Sequence, residues 1–215
     1  MAETAITSPN EDILHPAARN MFAVWDAIRQ GRSAPCRNEL DLRSIKKLLP
    51  HVALIERHPL KPEFSFRLAG TGLRKIFCKE LTGSDFLGLW PQIERSTISQ
   101  RASDVVARHR PCSIRFKGFT SDGRTETLEL LMLPLLPTQR NATHILATLA
   151  PVTEPYWHGD YPIIRTELIS LRSLPVHSVS DISEAGLFEK AEDETVLAEI
   201  PMAARAFQVI QGGID

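Results

Sequence analysis

The stretch Phe64-Ser65-Phe66-Arg67-Leu68-Ala69-Gly70-Thr71-Gly72, running on through Leu73-Arg74-Lys75-Ile76-Phe77-Cys78-Lys79-Glu80-Leu81-Thr82-Gly83, decides the fold. Phe64, Phe66 and Leu68 alternate with Glu63, Ser65 and Arg67, the period of a strand with one dry face and one wet face. Gly70 and Gly72 break that strand, and Leu73, Ile76 and Phe77 then recur at helical spacing. Leu81-Thr82-Gly83 reads as a turn. A strand, a Gly-Thr-Gly corner, a short helix and a turn point to a sensory or interaction module rather than a catalyst.

Upstream, residues 1–15 read as a flexible leader. Pro16 suits the first turn of a helix, where its missing N–H costs nothing. Ala18, Met21, Phe22, Trp25 and Ile28 mark one apolar face of that helix, and Gly31 ends it. Leu40 to Leu49 is expected to form a second short helix, stopped by Pro50. Val52 to Arg57 reads as the first strand and Glu63 to Leu68 as the second, joined by a turn at residues 58–62.

Downstream, short helices and turns are expected from Gly70 to Trp90. Pro91 then opens a longer helix on which Ile98, Ala102, Val105 and His109 share a face, and Pro111 stops it. Ile114 and Phe116 alternate with Ser113, Arg115 and Lys117. Thr120-Ser121-Asp122-Gly123 is a hairpin turn, with Asp-Gly supplying positions that tolerate φ > 0. Leu128, Leu130 and Met132 alternate in the next strand, and Ile145, Ala147 and Leu149 in the last, which ends at Pro151. The expected architecture is α+β: a five-stranded antiparallel sheet with helices packed on one face, plus the N-terminal helix.

After Pro151 the composition shifts. Tyr156-Trp157-His158-Gly159-Asp160-Tyr161 forms an aromatic bridge, and Ile163 to Leu171 is apolar enough to add an edge strand. Residues 178–199 are acidic with few large apolar groups. The expected organisation is a domain over 16–151 and an extension over 152–215 that ends in a partly disordered acidic tail.

The 215 residues are 43% hydrophobic, enough for a real core, and the net charge is −1. That charge is unevenly spread: residues 152–215 hold 11 acidic and 4 basic side chains, net −7, and the rest carries +6. The densest basic group, Arg43, Lys46 and Lys47, is too small for a nucleic-acid footprint and suits a helix end in water. No secretory signal is read near the start. The most apolar window, Leu128 to Leu136, is interrupted by Glu129 and Pro134 and falls short of the roughly 20 residues of a membrane helix. Cys36, Cys78 and Cys112 are odd in number and widely spaced, which fits free thiols and a cytoplasmic location.

The order of elements resembles that of a PAS domain, and the motifs sharpen the likeness. Trp25 with Arg29, Pro35-Cys36-Arg37, Leu48-Leu49-Pro50, Phe66-Arg67-Leu68-Ala69-Gly70-Thr71, Glu80-Leu81-Thr82-Gly83, Arg110-Pro111 and Leu133-Pro134-Leu135 fall in one order. Over about residues 18–151 the chain is similar to small PAS-like proteins common in alphaproteobacteria. Two positions depart from that pattern: Cys78 stands where relatives have Gly, and Asp41-Leu42 where Asp-Pro is expected. The resemblance implies a cytoplasmic signalling role, often exercised through partner proteins, and brings no catalytic residues.

Chemistry candidates are few. Gly70-Thr71-Gly72 lacks the third glycine of a dinucleotide fingerprint, because Lys75 stands there, and reads as a tight corner with close packing. His109 and Cys112 lie on either side of Pro111, and His51 and His58 flank the first strand, without zinc spacing. Cys78 lacks a flavin-binding context and reads as a buried inert thiol. Glu80 and Asp85 are a conceivable acid/base pair, although a Glu in such a turn more readily accepts backbone N–H bonds; Arg67 is placed to pair with a carboxylate of this kind. No metal, cofactor or catalytic set is expected.

One apolar set remains. Phe66, Leu68, Leu73, Ile76, Phe77, Phe86, Trp90, Ile98, Val105, Ile114, Phe116, Leu130 and Met132 should converge between sheet and helices. In PAS domains that interior holds ligands, so these residues either line a site for a small, mainly apolar molecule or fill an ordinary core. The face carrying Met21, Phe22, Trp25 and Ile28 likewise has two readings: an interface for a second copy or a signalling protein, or a cap on the domain's own sheet. A ligand-binding signalling module and a ligand-free adaptor are the two functions carried forward, with an enzyme third.

Overall fold

The run Leu128 to Leu135 has too many large apolar residues for a strand with one wet face, and it lies at the middle of the sheet. In the computed structural model, which describes residues 13–57, 63–137 and 143–176, strand β4 (Thr125–Leu135) is buried on both sides. Leu128, Leu130 and Met132 enter one apolar cluster, and Leu131, Leu133 and Leu135 enter another. A period of two therefore serves two cores.

Around β4 lie β1 (Val52–Arg57), β2 (Phe64–Ala69), β3 (Cys112–Phe119), β5 (Thr143–Pro151) and β6 (Arg165–Ser173), in the order β2-β1-β5-β4-β3-β6. Every neighbouring pair is antiparallel, with Ala53 opposite Ala147, Leu130 opposite Leu149 and Phe116 opposite Leu128. The hairpin between β3 and β4 forms at Thr120 to Arg124, with Gly123 at φ +86°.

Among the described residues the sheet has six strands rather than the expected five, because it does not stop at residue 151. The edge strand foreshadowed by Ile163 to Leu171 pairs along β3, and its poor alternation is explained by a register shift opposite Arg115 and Phe116. Thr166 anchors it by donating from Oγ1 to the Leu89 carbonyl at 2.7 Å.

Helices α2 (Thr71–Phe77) and α3 (Gln92–Arg108) cover one face of the sheet, while α1 (Pro16–Arg29) covers the other. Helices α1 and α3 press on the same central strands, β4 and β5, from opposite sides. Met21, Phe22 and Trp25 are thus buried against the chain's own sheet. Of the two readings of that face, this burial favours a cap on the chain's own sheet over an interface for a partner: the sheet's second apolar face needs a cover, and α1 supplies it. Ile28, at the margin, is half-buried.

Two further expectations change. Leu40 to Leu49 is not one helix but a series of turns between 3-10 segments at Arg37–Glu39 and Leu49–His51. Asp41 diverts the chain, its carboxylate accepting the Arg43 N–H at 2.9 Å and its carbonyl accepting from Ser44 Oγ at 2.7 Å. Of the expected leader, residues 1–12 lie outside the described residues and Ile13 is fully buried; the expected loose tail over 178–199 likewise lies outside the described residues.

Candidate functional site

Twelve of the thirteen apolar residues meet in one cluster between the sheet and α2/α3. Leu68 does not join them. It is 49% exposed, because the register of β1 and β2 shifts between Leu54 and Ile55 and β2's strict alternation fails at its far end. The interior is crossed by an aromatic chain: Phe66 to Phe86 at 5.7 Å, Phe86 to Trp90 at 6.4 Å and Trp90 to Phe116 at 4.8 Å, all edge-to-face. Such pairs add roughly 0.5–1.5 kcal/mol each beyond their buried area. The indole Nε1 of Trp90 is buried with no hydrogen-bond partner among the described residues.

Beside this interior lies a cleft of about 330 Å³ lined by His51, Gly72, Lys75, Ile76, Pro151, Glu154, Pro155, Tyr156 and His158. One wall comes from the turn before β1 and from α2; the other is the chain leaving β5. Ile76 belongs to both cleft and core, and the Ile163 N–H donates to its carbonyl at 3.0 Å. The aromatic bridge divides its labour here. Trp157 is buried in the core, while Tyr156 stands 92% exposed at the cleft. Next to them His158 Nε2 lies 2.6 Å from Glu126 Oε2, both side chains largely buried, and Glu126 Oε1 has no partner among the described residues.

His51 closes the inner end. Burial holds its ring below the usual histidine range, against the pull of Glu154 and of the Leu149 carbonyl that accepts from it. Its Nδ1 is buried and unpartnered.

The Gly-Thr-Gly corner is explained by contact. A Cβ on Gly70 would sit 2.2 Å from the Leu49 carbonyl oxygen, and one on Gly72 2.7 Å from that of Pro50. Neither glycine has positive φ; both are needed so that α2 can start against the Leu48-Leu49-Pro50 turn. The other motifs are joints as well. Trp25 Nε1 donates to the Pro134 carbonyl at 2.8 Å, the Arg29 guanidinium lies 5.4 Å over the Trp25 ring, and Leu136 N–H donates to Pro35. Gly83 N–H donates to Phe66 and Phe66 N–H to Ser84, so the Glu-Leu-Thr-Gly turn covers the edge of β2.

The remaining candidates part company. Glu80 Oε1 accepts the Leu81 and Thr82 N–H groups at 3.1 Å each, and backbone and side-chain bonds from Thr82 hold its carboxyl below the usual range. Asp85 caps the Phe86–Leu89 turn by accepting the Leu87 N–H at 2.9 Å. Each thus has a structural bond to backbone N–H groups of its own turn, and Arg67 lies 3.8 Å from Glu56 rather than beside either of them. His109 caps the end of α3 and Cys112 is buried in β3, where burial pushes its thiol up to about 12. No group of three metal-ligating side chains occurs among the described residues.

Cys78 corrects an expectation. It is exposed, not buried, with its thiol 3.4 Å from the carbonyls of Lys75 and Gly159. It also holds φ +47° at the end of α2, a left-handed conformation that glycine adopts without penalty. This is the physical sense of the Gly that the resemblance led one to expect.

Sequence reasoning missed Glu129. It is fully buried on the α1 side of β4, and its oxygens accept the N–H of Leu14 at 3.0 Å and of His15 at 2.7 Å. Arg115 Nε lies 3.8 Å away and Ser113 Oγ 3.4 Å. The signal was available: a carboxylate inside an apolar run is rarely buried without a partner.

Solved structures to which this chain is similar include one described as a fungal LOV domain photoreceptor, at 13% identity and a TM-score of 0.38, covering 54% of this chain and 94% of that one. Another is described as an RNA-binding light-oxygen-voltage receptor, at 16% identity and a TM-score of 0.38, covering 74% of this chain and 42% of that one. No curated protein matches. No helix among the described residues is long and apolar enough to cross a membrane. The family profile described as PAS domain matches residues 13–150, from the buried Ile13 to the end of β5, and the chain belongs to the PAS-domain family.

Proposed function

We propose that this protein is a PAS-type sensory module that binds a small, partly apolar molecule in the cleft beside α2 and passes its occupancy to a signalling partner. The observation that carries the reading is Ile76. Its side chain is at once a wall of the cleft and a member of the aromatic core, so a ligand there touches the packing that fixes α2 against the sheet. Occupancy acts by favouring one of two arrangements of that packing. The module works in the cytoplasm, in keeping with its three free cysteines, and performs no catalysis of its own.

Native mass spectrometry of gently purified protein tests this. A bound small molecule is expected in the wild type and lost in Lys75→Ala and Tyr156→Ala, both of which alter exposed side chains of the cleft. A wild type that carries no adduct and binds nothing from cell extract overturns it. The second reading, a ligand-free adaptor, is favoured by the aromatic chain from Phe66 to Phe116, whose rings already occupy the interior.

A further inference from the structure

The first turn of α1 is held by one imidazole and one buried carboxylate. His15 is the helix N-cap, and its Nδ1 accepts the Ala17 N–H at 3.1 Å, which requires that nitrogen to be unprotonated. Its backbone N–H and that of Leu14 donate to the buried Glu129. The ring of His51 stands 5.3 Å from the His15 ring, centroid to centroid, with its own buried Nδ1 unpartnered. Two neutral imidazoles therefore face each other where α1 meets the sheet.

We propose that the His15–His51 pair is a proton-binding site that releases α1 from the sheet when the two rings charge, so that acidification is an input to this module. A proton on His15 Nδ1 converts the cap's acceptor into a donor opposite the Ala17 N–H. It also places positive charge at the positive end of the helix dipole. A proton on His51 Nδ1 buries a charged donor with no acceptor. Release uncovers Met21 and Trp25 together with the sheet residues they cover, Leu133 and Leu146.

The groups around the pair come from every neighbouring element. Glu129 of β4 and Glu154 after β5 attract a proton to His15, while His51 and Arg19 of α1 repel it. Arg115 of β3 offsets part of the Glu129 charge from 3.8 Å. Lys75 of α2 and His158 share the cleft with His51. Burial and the neighbouring ring outweigh the carboxylates at His15, and burial outweighs Glu154 and Leu149 at His51. Both rings are thus held below the ordinary 6.5. Histidines so lowered leave docking at full strength above about pH 6.5 and weaken it as pH falls below that value, through the depressed values of the docked state.

Hydrogen exchange of the full-length protein, followed by mass spectrometry from about pH 8 to about pH 5 and corrected for intrinsic rates, reads the effect. Protection of α1 should fall by about tenfold per pH unit for each proton taken up, while β4 and β5 keep theirs. His15→Asn retains a capping acceptor that does not titrate, so it should remove one proton from that slope, and His15→Asn with His51→Asn should flatten it. Constant α1 protection, an undiminished slope in the double variant, or simultaneous loss from β4 and β5 would each overturn the proposal. Titration of the wild-type imidazoles by NMR gives an independent check: midpoints below about 6.5 support it and midpoints at or above that value refute it. The test needs nothing in the cleft, so its outcome is separate from that of the ligand reading.

Discussion

The two faces of the sheet are held by different physics. Against α2 and α3 lies a dry aromatic interior, in which Phe64, Phe66, Phe86, Trp90 and Phe116 are each no more than 2% exposed. Against α1 the packing is mainly aliphatic, and a handful of directional bonds fix the helix: Glu129 to two backbone N–H groups, Trp25 to Pro134, and His15 to its own helix. The first face draws on area, which no pH change removes. The second draws on bonds whose partners titrate or can be deleted singly. On this contrast, docking of α1 is expected to weaken without loss of the sheet.

The largest effect should come from the aromatic face. Trp90→Ala removes the ring that joins Phe86 to Phe116 and should cost about 3–5 kcal/mol, lowering the denaturant midpoint of the whole domain. If it loosened only α3, the idea of one continuous core on that face would break.

Next comes the α1 face. Glu129→Ala leaves the Leu14 and His15 N–H groups without their acceptor, at about 1–3 kcal/mol. The loss should fall on α1, seen as faster amide exchange across residues 16–29 with little change in β3 and β4. A uniform loss would show that the two faces unfold together. Trp25→Phe keeps most of the buried ring and removes the bond to Pro134, so about 1 kcal/mol is expected, again local to α1. Its readout is the same exchange experiment, in which an effect as large as that of Glu129→Ala would contradict the weight given to the carboxylate.

The smallest effect has the opposite sign. Cys78→Gly relieves a left-handed backbone at the end of α2 and should raise global stability by about 0.5–1 kcal/mol, after allowance for the greater freedom of an unfolded glycine. Thermal unfolding measures it, and α1 exchange should not move. A fall in stability would mean that the thiol contacts to Lys75 and Gly159 outweigh the strain.

Much of the fold was legible because its signals are local. Asp122-Gly123 marked the hairpin, Pro16 and Gly31 bracketed α1, and alternation at Leu128, Leu130 and Met132 placed β4 against the main core. Leu68 was misplaced because its strand's register shifts at a partner far away in sequence. The segment from Leu40 to Leu49 has helical spacing, yet Asp41 bonding to its neighbours won over helix propensity. In the candidate site, Ile76 and Trp90 could be read as interior groups. The cleft could not be read, since His51, Lys75 and Tyr156 come from three separate stretches of chain with no shared motif.

From the chain alone come the order of the main elements, the antiparallel sheet and twelve of the thirteen interior residues, because periodicity and turn residues act over a few positions and are written in the chain. Tertiary packing settled which reading of α1 holds, whether the foreshadowed edge strand pairs along β3, and that His15, His51 and Glu129 meet. Those outcomes depend on which buried polar groups and apolar faces find one another across more than thirty residues of separation in sequence, and such pairings are set by the free energy of the whole packed arrangement rather than by any segment of it.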